Sequence, residues 1–182
     1  MSAPDFDFLV NTTLTSHDTI VGLCQAAGYE HTGIPLHNPS DGLIIAWVKY
    51  GPNVAIPEAL TQDYVAKSLI ANSAAAVRVL RVYAAFSRTG PDWDIGYIIM
   101  EYIDAPDCGE DEYKLAAKAV QKLISIKGPN AAPGPGGGGP VIHNFFVEWK
   151  SSINYTTVGE LRQHINGVGE HKPPVRLDDL RP

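Results

Sequence analysis

The sequence predicts an α+β protein in which a small antiparallel sheet is flanked by helices. Three observations carry that expectation. Runs rich in β-branched and aromatic residues lie at 43–50, 77–86 and 95–103, and the turn Arg88-Thr89-Gly90-Pro91-Asp92 joins the last two as a hairpin. Four other segments repeat apolar residues at helical spacing. A chain of 182 residues, 45% hydrophobic and 19% charged, can bury one sizeable core, so one or at most two domains are expected.

Taken in order, the first helix has Ser16 as its N-cap, carries Ile20, Leu23, Cys24 and Ala27 on one face and ends at Gly28. Residues 29–42 contain Gly33, Pro35, Asn38, Pro39, Ser40 and Asp41 and read as a turn-rich connection. The strand at 43–50 follows and stops at Gly51-Pro52. Pro57 suits the first position of a second helix, because its missing N–H costs nothing there. That helix has Glu58 in its first turn and an apolar stripe of Leu60, Tyr64, Val65 and Leu69. After the hairpin, a third helix is expected from about Glu110 to Ser125, with Ala116, Ala117, Val120, Leu123 and Ile124 on one side. Residues 128–140 are mostly Gly and Pro, too costly in backbone entropy to form an element. Thr157 and Glu160 have capping-box spacing and open a last helix that buries Leu161, Ile165 and Val168.

Composition narrows the partners. A net charge of -6 and a pI near 5.4 supply no basic face for a phosphate backbone, so nucleic acid is not expected. No apolar run is long enough to span a bilayer, and acids at Asp5 and Asp7 stand where a secretory leader would be basic. The expectation is a cytoplasmic protein with no membrane partner. Cys24 and Cys108 are far apart, which suggests reduced thiols instead of a disulfide framework or a zinc site. The six histidines form no metal-binding spacing, and the glycines at 134–139 lack the Lys-Ser/Thr of a phosphate-binding P-loop.

The residues with the most chemical content begin at Ala46-Trp47-Val48-Lys49, a strand with a lysine at its end, and continue with Glu58 at the head of the next helix. A strand Lys held by a helix Glu is how kinases aim an ammonium at nucleotide phosphates. The wider set is Trp47-Val48-Lys49-Tyr50-Gly51, Glu58-Ala59, Thr61-Gln62-x-Tyr64-Val65, Val79-x-Arg81-Val82-Tyr83-x-x-Phe86 and Tyr97-Ile98-Ile99-Met100-Glu101-Tyr102-Ile103. It continues through Pro133-Gly134-Pro135, His143-x-Phe145-Phe146 and Glu160-Leu161-x-x-His164-Ile165-Asn166. In that order these motifs resemble fungal kinase-like proteins of the aminoglycoside-phosphotransferase type, over roughly residues 43 to 168.

The resemblance implies a kinase-like small lobe at 1–103, preceded by an N-terminal helix, then a hinge and a partial helical large lobe at 104–182. It implies that Lys49 contacts phosphates, that Glu58 orients Lys49, and that the backbone of Met100, Glu101 and Tyr102 meets adenine. ATP with magnesium is the implied cofactor. Two departures stand beside it. Trp47 shares a strand face with Lys49 and occupies the place where kinases keep a small Ala above adenine, so its indole either stacks on a base or fills the pocket. No Gly-x-Gly-x-x-Gly precedes the strand. Transfer also needs a catalytic-loop Asp and magnesium-binding Asn and Asp residues. Of these only Asp179, in Leu177-Asp178-Asp179-Leu180, offers a counterpart, a faint one because Leu177 stands where the motif has His, and the sequence reads first as a solvated acidic tail.

The expected function is a degenerate kinase relative, a pseudokinase that binds ATP or another small ligand in an interlobe cleft without efficient phosphotransfer. The alternatives are a phosphotransferase completed by a partner chain or a longer natural product, and a non-catalytic interaction module. The expected partners are accordingly a nucleotide or small molecule, with a homo-oligomer or partner subunit covering apolar helix faces.

Overall fold

In a computed structural model of the chain, the residues described are 5–8, 13–71, 77–90, 93–106, 108–129, 131–136, 139–146 and 149–168. The chain divides into two compact units, Met1–Ile126 and Lys127–Pro182. The first contains β1 (Phe6–Asp7), α1 (His17–Ala27), β2 (Gly33–His37), β3 (Ile44–Gly51), α2 (Ile56–Ala71), β4 (Val82–Thr89) and β5 (Asp94–Met100). A 3-10 turn at Glu110–Glu112 then leads into α3 (Tyr113–Ile124), and the second unit contributes α4 (Val158–Val168). The protein is thus α+β, with one antiparallel five-stranded sheet in the order β1-β4-β5-β3-β2. Among the described residues, no helix is long and apolar enough to cross a membrane.

Strand periodicity decides where the core sits. In β3, Ala46, Val48 and Tyr50 point to one face and join Ile20 and Cys24 of α1, Phe86 of β4 and Tyr97 of β5 in the larger cluster. Trp47 points to the other face, where Ala59 of α2 packs with Val82, Ala85, Ile98 and Met100. The sheet therefore lies between α1 and α2. Residues 95–100 are buried throughout, because β5 is paired on both sides and covered on both faces.

Helix α1 has the ends its sequence announces. Ser16 Oγ accepts the Thr19 N–H at 3.2 Å, and Gly28 ends the helix at a φ of 83° that glycine alone adopts cheaply. Its buried side is narrower than the sequence suggests, since Ile20 and Cys24 are buried while Leu23 and Ala27 are exposed. Burial pushes the Cys24 thiol up to about 12, so this cysteine is a core group. The Tyr50 hydroxyl donates to the Gly28 carbonyl at 2.6 Å and ties the helix end to β3.

Two readings fail: residues 77–81, expected to open a strand, precede β4, and residues 33–37, taken as connection, form an edge strand paired with β3. Gly33 and Pro35 look like turn residues, but Pro is tolerated on an edge strand where its missing N–H faces outward. The Tyr50 N–H donates to the Thr32 carbonyl, and the alternation of an antiparallel ladder then turns the Pro35 nitrogen away from β3. The opposite edge is closed by β1. Asp5, just before it, takes two hydrogen bonds from the Arg88 guanidinium at 2.9 and 3.1 Å and a third contact from His17 Nδ1 at 3.1 Å. His17 and Arg88 in turn lie on the Phe86 ring.

In the second unit, the Thr157 hydroxyl accepts the Glu160 N–H at 3.2 Å, the first half of the expected capping box. The returning half goes one residue further back, to the N–H and hydroxyl of Thr156, both at 2.7 Å. These bonds hold the Glu160 carboxyl below its ordinary range. Buried Ser151 is satisfied by Val141 N–H and Ile153 carbonyl, and the Tyr155 hydroxyl meets His164 Nδ1 at 2.6 Å.

Two outcomes follow from this packing. A Cβ at Gly96 would collide with the Val54 carbonyl, which is backbone and cannot rotate away. Gly96→Ala should therefore cost about 3 kcal/mol, the upper range for overpacking, and lower the thermal midpoint by roughly 10 °C. The second concerns Asp5, whose carboxyl is held below its usual range chiefly by the Arg88 hydrogen bonds, against partial desolvation. A depressed carboxylate pKa contributes stability above the unfolded value, and that contribution is lost as pH falls through the folded one. Asp5→Asn should cost about 0.5–1 kcal/mol at neutral pH, as exposed ion pairs do, and urea titrations should show the gap from wild type closing below about pH 4.

Candidate functional site

The face of the sheet under α2 brings together most of the residues singled out by sequence. Strand alternation sends Trp47 and Lys49 of β3 to that face, and α2, opened by Ile56 and Pro57, begins close enough for Glu58 to meet Lys49. Lys49 Nζ donates to Glu58 Oε1 across nine residues of chain. Both side chains are about two-fifths exposed, so water screens the pair and its worth is that of a half-exposed bridge. In chemical terms it is a cation fixed in direction, open to an anionic group approaching from solvent.

Trp47 is half-buried against Ala59, Val82, Ala85, Ile98 and Met100. Its indole reaches sideways to β2, where a Cβ on Gly33 would sit 2.5 Å from Nε1 and 2.7 Å from Cε2. Gly33 is thus the seat of the Trp47 ring, a role that local sequence does not reveal because Gly33 opens a different strand. Gln62 is a second residue whose role was not foreseen. From α2 its amide donates to the Leu80 carbonyl at 2.9 Å and lies 3.9 Å from the Met100 sulfur, fixing the helix against the start of β4.

Met100 is the last residue of β5 and pairs with Trp47 on one side and Val82 on the other. The Glu101 N–H donates to the Arg81 carbonyl at 2.9 Å. Of the three residues expected to offer backbone to a ligand, Met100 is engaged in the sheet and Glu101 has its donor occupied. The Glu101 side chain is nearly buried and clamped by Arg78 and Arg81. Burial alone would raise its pKa, but hydrogen bonds from Arg78 and from the Arg81 N–H and guanidinium outweigh that and hold it below the carboxylate range. Its carboxylate is therefore a fixed partner of arginines at the end of β5, and Tyr102 follows half-buried beyond it. Asp179 lies outside the described residues.

Among the described residues, no three His, Cys, Asp or Glu side chains converge in a metal-binding group. Lys49 and Glu58 thus present a phosphate-compatible cation without a described acid set for magnesium. No family model, curated protein or solved structure matches the chain.

The coupling of Lys49 and Glu58 is directly measurable. Lys49→Ala and Glu58→Ala should each lower stability by about 0.5–1 kcal/mol, and the double variant should lose less than the sum by about 0.5 kcal/mol. Denaturant midpoints of the four proteins give the cycle, and strictly additive losses would make the pair an incidental contact.

Proposed function

We propose that this protein is a degenerate relative of kinase-type phosphotransferases that holds a nucleotide, or another small ligand bearing phosphate, on the α2 side of its sheet without efficient transfer. The observation that carries this reading is the Lys49–Glu58 pair, formed between a strand and the first turn of the helix that follows it. The surrounding arrangement supports it. The strand that bears Lys49 lies directly beside β5, so Met100 and Lys49 approach the same face from neighbouring strands. A fixed ammonium is what a polyphosphate needs from such a sheet, because charge placement and electrostatics do most of the work in phosphoryl chemistry.

The chain's own residues would divide the task simply. Lys49 meets phosphate oxygens, Glu58 keeps its ammonium from collapsing onto the sheet, and Trp47 offers an apolar ring edge beside them. Magnesium, when bound with ATP, would neutralise phosphate charge alongside the Lys49 ammonium. Asp179 is the residue that the resemblance offers as a proton acceptor.

Thermal unfolding with and without millimolar magnesium-ATP tests the reading. Wild type should gain several degrees through selective binding to the folded state, Lys49→Ala should gain little, and neither should turn ATP over with sugar, aminoglycoside or protein hydroxyl acceptors. An identical nucleotide response in Lys49→Ala would remove the lysine from the site. Turnover abolished by Asp179→Ala would make the protein a working phosphotransferase.

A further inference from the structure

The edge that Trp47 offers beside Lys49 is apolar except at one atom, and that atom has no partner. Among the described residues, the indole Nε1–H makes no hydrogen bond, and no side-chain nitrogen or oxygen is both buried and unpartnered. The N–H is therefore open to solvent. Buried Trp N–H groups usually find an acceptor in their own protein, whereas this one is left to water on the face that also carries the Lys49 ammonium.

Sheet register sets the two donors side by side. Nε1 lies against Gly33, since a Cβ on that residue would be 2.5 Å from it. Gly33 is the residue of β2 directly opposite Lys49. The Tyr50 N–H donates to the Thr32 carbonyl, so the neighbouring pair of residues 33 and 49 exchanges no hydrogen bonds, and side chains stand closest in pairs of that kind. Trp47 thus leans across onto β2 and brings its N–H level with Lys49. A side chain at residue 33 would collide with the indole and displace that donor.

The end of β5 is committed elsewhere. The backbone of Tyr50 faces β2, so alternation turns the backbone of Trp47 towards β5, where it exchanges hydrogen bonds with Met100. The Glu101 N–H is taken by the Arg81 carbonyl, and the Glu101 carboxylate by Arg78 and Arg81. Two of the three residues expected to meet a purine edge are therefore engaged within the sheet, while the two donors suited to phosphate are open.

We propose that Lys49 Nζ and the Trp47 Nε1–H together hold one phosphate group, and that the site selects its ligand by polyphosphate and not by base. This rests on the reading of the α2 face as a phosphate-binding site and specifies what that site selects. The ammonium keeps donors beyond the one that Glu58 takes, and the indole N–H adds a second, uncharged donor in a fixed direction. Inorganic tripolyphosphate, ATP and GTP are then equivalent ligands.

Nitrogen-labelled protein gives an indole N–H resonance for each tryptophan, and exposed Trp93 and Trp149 serve as internal controls. Sodium tripolyphosphate, ATP and GTP are titrated separately from about 0.1 to about 20 mM at matched ionic strength, a range that brackets weak binding. The Trp47 indole resonance, assigned by its loss in Trp47→Phe, should move with all three ligands at midpoints within about three-fold of one another, while the other two indoles stay in place. Followed at the Gly33 amide, Trp47→Phe should weaken binding about ten-fold, as loss of a hydrogen bond to a charged group does. Lys49→Ala should abolish the movement of the indole resonance. A Trp47 resonance that stays still while magnesium-ATP raises the thermal midpoint overturns the indole contact and leaves the phosphate site standing. Midpoints for ATP more than about ten-fold below those for GTP and tripolyphosphate overturn selection by phosphate alone, again without touching the site. Equal movement of all three indoles overturns the proposal as a salt effect, and no response in resonance or thermal midpoint to any of the ligands overturns both it and the phosphate-binding reading.

Discussion

The register of β3 is the constraint on which the rest of the first unit depends. Val48 pairs with Ile34 on one side and Ile99 on the other, and this fixes which residues of β3 face α1 and which face α2. Shifting the strand by one residue would drive Lys49 into the cluster around Cys24 and turn Val48 towards Glu58. A buried, unpaired ammonium costs far more than any one contact in the sheet. The core and the candidate site are thus specified by the same alternation. Apolar residues at 46, 48 and 50 hold the strand in place, and the intervening positions carry Trp47 and the Lys49 that bridges Glu58.

How much of this was legible depended on how local each feature is. Ser16 and Gly28 mark the ends of α1 because capping and left-handed termination are settled within a few residues, and the same holds for Thr157 at the start of α4. The α+β class was legible from period alone. Residues 33–37 were not, because Pro35 and Gly33 become strand residues only when β3 lies beside them. The exposure of α3 was expected, although helical periodicity tells only which side is apolar and says nothing about what covers it.

The same division runs through the candidate site. Lys49 and Glu58 could be named together because a short strand-to-helix connection keeps them near one another in sequence as in space. The arginine clamp on Glu101 required β4 and β5 to be paired, which brings residue 81 opposite residue 101 across the hairpin. Seating Trp47 on Gly33 required a strand that the sequence disguised as a loop. Long-range pairing, not local propensity, supplied what the sequence left out.

The two margins of the sheet are guarded by different means. On the β2 side, proline deletes a donor from the free border, a covalent protection that survives any change of solvent. On the β4 side, protection is a two-residue strand held by Phe8 N–H on the Tyr83 carbonyl and by the carboxylate of Asp5. That fastening is non-covalent and sensitive to acid and salt. In acidified samples the β4 margin would accordingly be the first to open, as protonation of Asp5 loosens the short N-terminal strand, while the proline keeps its protection.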